Sequence, residues 1–306
     1  MTTGVGPDPG ASGRGGGTGD TWTVLRMILW SADYLEGKGI ESARLDAELL
    51  LAHVVGVGRL QLYLDFERPL SGAELDGFRP LLKRRAAREP LQYIVGRQPF
   101  RELDLEISPA VLIPRPETEV LVGEILSWLG DRDRFGATAL DVGTGSGAIG
   151  LSLALEGSFA SVVATDVSEA ALEMARRNRD AVDLEDKVCL RKGSLFEPVE
   201  DRERFDVIVS NPPYVAEVDE PSLQPEVRDW EPREALFGGE DGLDVLRRLA
   251  AEASMYLKAG GLLALEVGFG QTKAVVDLLE DAGGYADVRV LRDYAGKERF
   301  VLAHGA

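Results

Sequence analysis

From Trp22 to about Gly96 apolar positions recur at helical spacing. Val24, Met27 and Ile28 fall in line with Ser31, and Leu45, Leu49 and Ala52 fall in line with Glu48. Glycines at 37, 39, 56 and 58 punctuate the pattern. This predicts a small helical bundle. Ser71 followed by Glu74 predicts a capping box, opening a helix that runs through Leu82 and Arg85 until Pro90 stops it. Between Arg97 and Ile107 the apolar positions Phe100, Leu103, Leu105 and Ile107 alternate with polar ones at short range, the signature of a hairpin or extended linker.

Beyond Ala110 the pattern becomes strand, glycine turn, helix. Strands are predicted at 137–142, 161–166, 187–191, 206–210, 261–267, 286–291 and 299–303, and helices at 149–155, 170–179, 243–257 and 272–282. Such alternation builds an α/β fold around a largely parallel sheet, with ligands bound beyond the carboxyl ends of the strands. The predicted domains are a helical domain over 21–96, a hairpin linker over 97–110 and an α/β domain over 111–306. Residues 1–20 hold eight glycines and almost nothing to bury, and are expected to form a disordered tail.

Composition narrows the function classes. No run approaches a membrane-spanning length, and the tail lacks the charged and apolar regions of a secretory signal. Cys189 is the only cysteine, so no intrachain disulfide or cysteine-rich metal site is expected, and a reducing, cytoplasmic setting is the default. The net charge of −18 opposes generic binding to phosphate backbones. It is unevenly placed: residues 22–110 carry 12 basic and 13 acidic groups, residues 111–306 carry 21 and 37. The one basic cluster, Lys83, Arg84, Arg85 and Arg88, reads first as a solvated helix face and second as a contact for a partner or RNA. His53 and His304 fall in no motif and are expected to be structural.

Two motifs carry chemistry. The first, Asp141-Val-Gly-Thr-Gly-Ser-Gly-Ala-Ile-Gly150, follows an apolar strand and opens a helix, as a nucleotide-cofactor loop requires. Gly145-Ser-Gly147-Ala-Ile-Gly150 satisfies the dinucleotide fingerprint, which keeps an oxidoreductase open. Asp141 ahead of Gly143, Thr144, Gly145, Ser146 and Gly147 matches the loop of class I methyltransferases instead. Asp166 ends the next apolar run, where a carboxylate can accept hydrogen bonds from ribose hydroxyls, and Ser194, Leu195 and Phe196 follow the third strand, where they can flank an adenine.

The second motif, Asn211-Pro-Pro-Tyr214, closes the buried run from Phe205 to Ser210. An amide or exocyclic amine nitrogen is a weak nucleophile because its lone pair is delocalised. The Asn211 side-chain oxygen and the Pro212 carbonyl can both accept from one NH2 group and aim its nitrogen at an electrophilic methyl. Pro212 and Pro213 stiffen that backbone, and Tyr214 offers a flat stacking face. Together the motifs imply methyl transfer from S-adenosylmethionine to a planar NH2, with positioning and charge complementarity outweighing a strong base.

With these residues the sequence resembles the bacterial methyltransferases that modify a glutamine N5 of class 1 peptide chain release factors, the PrmC/HemK family. The likeness extends over residues 22–303 and includes Gln92-Tyr-Ile-Val-Gly96, Leu112-Ile-Pro-Arg-Pro-Glu-Thr-Glu119, Glu231-Pro-Arg-Glu-Ala-Leu-Phe-Gly-Gly-Glu-Asp-Gly242, Leu265-Glu-Val-Gly268 and Asp293-Tyr-Ala-Gly296. It implies a helical domain that recognises the release factor, joined by a hairpin to a seven-stranded, Rossmann-like class I methyltransferase domain. The substrate it implies is the glutamine of a Gly-Gly-Gln loop.

By the same likeness, residues 143–147, Asp141, Asp166, Ser194, Leu195 and Asn211 contact the cofactor, and residues 211–214 hold the glutamine amide. Phe100, Arg115, Glu117, Glu119 and Glu266 are secondary substrate candidates. Ser194 stands where an acid is expected near the adenine, and the glycine-rich tail falls outside the family pattern. An adenine-N6 nucleic-acid methyltransferase shares the tetrapeptide and remains an alternative, opposed by the acidic catalytic half. A catalytically silent ribosome-associated module is another, opposed by the intact motifs. No metal and no membrane partner are expected.

Overall fold

The computed structural model describes residues 21–130 and 136–306, so the expected glycine-rich tail lies outside the described residues. The chain divides into two compact units after Ala87.

Among the described residues, the first unit holds four helices, α1 (Val24–Glu36), α2 (Ala43–Val55), α3 (Arg59–Leu64) and α4 (Gly72–Ala86). Met27, Ile28, Leu50, Leu51 and Phe78 fill its centre. The capping box forms: the Ser71 hydroxyl accepts from the Glu74 N–H, and the Glu74 carboxylate accepts from the Ser71 N–H. Helix α2 differs from the sequence reading. Leu45 is exposed and Asp46 is buried, while Glu48 is buried in line with the spacing. Each acid is matched by a cation, Asp46 by Arg85 at 2.7 Å and Glu48 by Arg44 at 3.1 Å and Arg59 at 2.6 Å. A paired and hydrogen-bonded carboxylate can be buried where an isolated one cannot. The basic cluster is therefore no uniform solvated face, since Arg85 is buried in its pair and Arg88 is bound by Glu226.

The second unit opens with α5 (Leu91–Val95) and the hairpin β1 (Arg97–Phe100) and β2 (Leu103–Glu106). Contacts group α5 with this unit rather than with the bundle: the Tyr93 hydroxyl donates to the Val111 carbonyl at 2.6 Å, and the ring joins the core beside Phe100. Then follow α6 (Pro116–Gly130), β3 (Ala137–Val142), α7 (Ala148–Glu156), β4 (Phe159–Asp166), α8 (Glu169–Asp180), β5 (Val188–Lys192) and β6 (Phe205–Ser210). The chain continues through short helices α9 (Pro225–Arg228) and α10 (Arg233–Leu236) to α11 (Asp244–Glu252), β7 (Leu257–Glu266), α12 (Thr272–Ala282), β8 (Tyr285–Arg292) and β9 (Glu298–Gly305).

Strands β3 to β9 form one seven-stranded sheet in the order β5-β4-β3-β6-β7-β9-β8, with β9 antiparallel to both its neighbours and the other pairings parallel. Alternate residues enter opposite cores. Ala139, Val207, Val209 and Leu262 face one, and Leu140, Ile208, Leu263 and Leu265 face the other. Burial on both faces is why these strands read as continuous apolar runs. From β3 the chain steps outward to β4 and β5, then returns to the other side with β6 and β7. The switch point therefore lies between β3 and β6, where Val142 stands beside Ser210 in register. The Ser210 hydroxyl donates to the Val142 carbonyl at 2.7 Å and ties the two strand ends together.

Candidate active site

A cavity of about 250 Å³ opens at that switch point, with the glycine turn on one side and Asn211, Pro212 and Pro213 on the other. Asp166, Ser194 and Leu195 line it from the ends of β4 and β5, and Thr118 from the first turn of α6. This is where ligands bind in sheets of this topology.

The glycine turn needs its glycines for two reasons. Gly143, Gly145 and Gly147 all have positive φ, at 75°, 57° and 87°. Gly150 lies so close to Asp141 that a Cβ there would stand 3.0 Å from Oδ2. Asp141 itself is fully buried and does not line the cavity. Its Oδ2 accepts from the Thr144 hydroxyl at 2.6 Å and the Gly150 N–H at 2.9 Å, so it braces the turn from behind. Burial pushes its carboxyl from an ordinary 3.8 up to about 6.

Asp166 accepts from the Gly145 N–H and the Ser168 N–H, each at 2.9 Å, one per oxygen. Burial raises its pKa, and these bonds oppose the rise. Each oxygen keeps a lone pair for a ligand hydroxyl. The Ser194 hydroxyl accepts from Arg248, another wall residue, at 3.1 Å, and Leu195 follows with φ of 52°.

Across the cavity, Asn211 donates from Nδ2 to the Thr118 hydroxyl at 3.2 Å, and Thr118 donates to Oε2 of Glu266 at 2.7 Å. Tyr214 donates to Oε1 of the same carboxylate at 3.4 Å. Glu266 ends β7, is 2% exposed, and is pushed up to about 7 by burial against the opposing Thr118 bond and Arg299 charge. Burial also raises the Tyr214 phenol. Asn211 Oδ1 is buried and has no hydrogen-bond partner.

The Glu231–Gly242 segment supports this turn. Its Gly238 passes the Pro213 carbonyl, and its Gly242 the Tyr214 carbonyl, so closely that a Cβ at either position would collide with it. Gln271 donates to that Tyr214 carbonyl at 2.9 Å.

None of the five secondary candidates lines the cavity, and of them only Glu266 joins the cluster behind it, through Thr118 and Tyr214. Phe100 is 1% exposed within the core. Arg115 is held by the buried Glu231. Glu117 is exposed on the first turn of α6, and Glu119 accepts from the Arg101 N–H at 3.1 Å. His304 packs against Trp128 away from this cluster, with Nδ1 3.3 Å from the Gly261 carbonyl. The residue that sequence reasoning passed over is Thr118, which lies between Glu117 and Glu119 in the segment Leu112-Ile-Pro-Arg-Pro-Glu-Thr-Glu119. Only its burial between the exposed Glu117 and the half-buried Glu119 marks it out.

A seven-stranded sheet with a glycine turn and a polar tetrapeptide facing each other across its switch point defines a methyltransferase. Residues 26–96 match the family described as PrmC N-terminal domain, and residues 119–224 the methyltransferase small domain. The release factor glutamine methyltransferase of Geobacter sulfurreducens is 45% identical over 282 residues, covering 92% of this chain and 96% of that protein. That of Moorella thermoacetica is 44% identical, covering 92% and 98%. The chain belongs to the release factor glutamine methyltransferase family. The fold is also shared with a T. thermophilus 16S rRNA N2 G1207 methyltransferase solved with AdoMet and guanosine. The TM-score is 0.52 at 21% identity, covering 69% of this chain and 50% of that one.

Proposed function

We propose that this chain transfers a methyl group from S-adenosylmethionine to the side-chain amide nitrogen of the glutamine in the Gly-Gly-Gln loop of class 1 peptide chain release factors. The bound cofactor supplies an electrophilic methyl on a sulfonium. The protein's part is to hold both partners in line and keep water out. Gly143, Thr144, Gly145, Ser146 and Gly147 give a backbone that a ligand can approach closely, braced by Asp141. Asp166 accepts from ribose hydroxyls, and Ser194 and Leu195 flank the base. The helical unit, which matches the PrmC N-terminal domain, recognises the release factor.

The observation that carries this reading is the orphaned Oδ1 of Asn211. A buried carbonyl oxygen without a partner costs about 1–3 kcal/mol, and it is relieved by an NH2 donor entering the cavity. Accepting from that donor aims the nitrogen lone pair along the cleft, with the Pro212 carbonyl as second acceptor. Tyr214 is held at the back by Glu266, and the proton leaves after the methyl has transferred.

Replacing Asn211 by Ala removes this orientation and nothing from the opposite wall. The expected result is a fall in kcat of about 100- to 1,000-fold, with S-adenosylmethionine affinity by calorimetry within about threefold of wild type. Unchanged turnover would overturn the assigned role.

A further inference from the structure

An amide side chain has two ends of nearly equal shape, one donating and one accepting, so shape alone does not decide which end faces a ligand. In this cavity the choice matters. If Nδ2 of Asn211 faced the substrate, its N–H groups would meet the N–H groups of the incoming amide.

We propose that Thr118 is a positioning residue that, through its bond to Glu266, sets the Asn211 amide with its oxygen toward the cleft and so selects an amide substrate over the equivalent acid. The proposal rests on the reading of the site given above. A threonine hydroxyl carries a single hydrogen, and Thr118 donates it to Oε2 of Glu266 at 2.7 Å. Only lone pairs then remain on the Thr118 oxygen, so the Asn211 end that faces it must be a donor. Nδ2 fills that place at 3.2 Å, which leaves Oδ1 at the other end of the amide, buried and unpartnered, in a residue that lines the cavity. A flipped Asn211 would set its carbonyl oxygen against the hydroxyl lone pairs and lose this bond. Glu266 starts the chain because an ionised carboxylate only accepts, and the Tyr214 hydroxyl donates to its other oxygen.

The same polarity discriminates between substrates. The glutamine NH2 donates to Oδ1, whereas a glutamate in its place would bring a second acceptor and leave both oxygens repelling in a buried site. Sites built to hydrogen-bond one group reject the analogue that lacks it far more strongly than apolar pockets reject a missing methylene.

The test uses the full chain at pH 8.5, above the value of about 7 to which burial pushes Glu266. Wild type, Thr118→Val and Thr118→Ser are compared on release factor. Valine keeps the shape and removes the hydroxyl, and serine restores it. Thr118→Val is expected to lose about 10- to 100-fold in kcat, with KM and S-adenosylmethionine affinity within about threefold, and Thr118→Ser to recover most of the loss. A release factor carrying glutamate in place of the glutamine serves as competitor. Its inhibition should strengthen relative to unmodified release factor in Thr118→Val, because the freed amide can then present Nδ2.

Wild-type kcat in a folded Thr118→Val, a serine variant no better than valine, or an unchanged competitor ratio would each overturn the proposal. If wild type itself leaves the glutamine unmethylated, the functional reading fails rather than the role of Thr118.

Discussion

Asp141 braces the glycine turn without reaching the cleft, and it does so at a cost to stability. Its carboxyl is pushed from 3.8 up to about 6 by burial, so the folded state binds a proton more tightly than the unfolded chain does. The stability linked to that proton is fully present below pH 3.8 and is lost as pH rises through about 6. Asp141→Asn removes this titration while keeping an acceptor for Thr144 and Gly150. The urea-derived stability of the variant relative to wild type is expected to rise by about 1 kcal/mol between pH 5 and pH 8. A difference that does not change with pH would show that Asp141 is not held in this state. Residues such as Gly143, Gly147, Asp166 and Asn211 were legible in the sequence because glycines at a strand end and an Asn-Pro-Pro turn have few other uses. Thr118 was not, since a threonine in a first helical turn looks ordinary until its burial and its two partners are known. Phe100 was a substrate candidate through the family likeness alone, and its ring lies within the core.

At the scale of elements, the sheet was the most legible part. Strands buried on both faces leave apolar runs that little else produces, and β3, β4 and β6 fall close to where those runs lie. The predicted helix over 243–257 ends instead at Glu252, and β7 begins at Leu257, four residues before the predicted start. The strand runs through Gly260 and Gly261, with Gly260 at a φ of 66°. On α2 Glu48 is buried in line with the spacing, while the burial of Asp46 depends on Arg85, which is distant in sequence. The junction of β3 and α7 depends on Gly147, where φ is 87° and a Cβ would stand 2.8 Å from Leu151 Cδ1. Gly147→Ala is expected to cost about 1–2 kcal/mol in unfolding free energy and to weaken S-adenosylmethionine binding about tenfold. Chemical denaturation and calorimetry would read the two effects, and wild-type values in both would mean the turn tolerates a side chain.

For the whole molecule, the residues lining the cleft fall on one side of the chain's division. A small helical unit ends at Ala87, and everything that lines the cleft lies in the unit beyond it. Among the described residues, no helix is long and apolar enough to cross a membrane. The overall charge of −18 works against approach to a polynucleotide, and the excess acid lies almost wholly beyond residue 110. The most direct test offers labelled S-adenosylmethionine with three acceptors: release factor, release factor with the Gly-Gly-Gln glutamine replaced, and adenine-containing DNA. Products are mapped by mass spectrometry. Label on the first acceptor alone, placed on that glutamine side chain, is the predicted result. Label on the DNA, or on release factor at any other residue, would contradict the account.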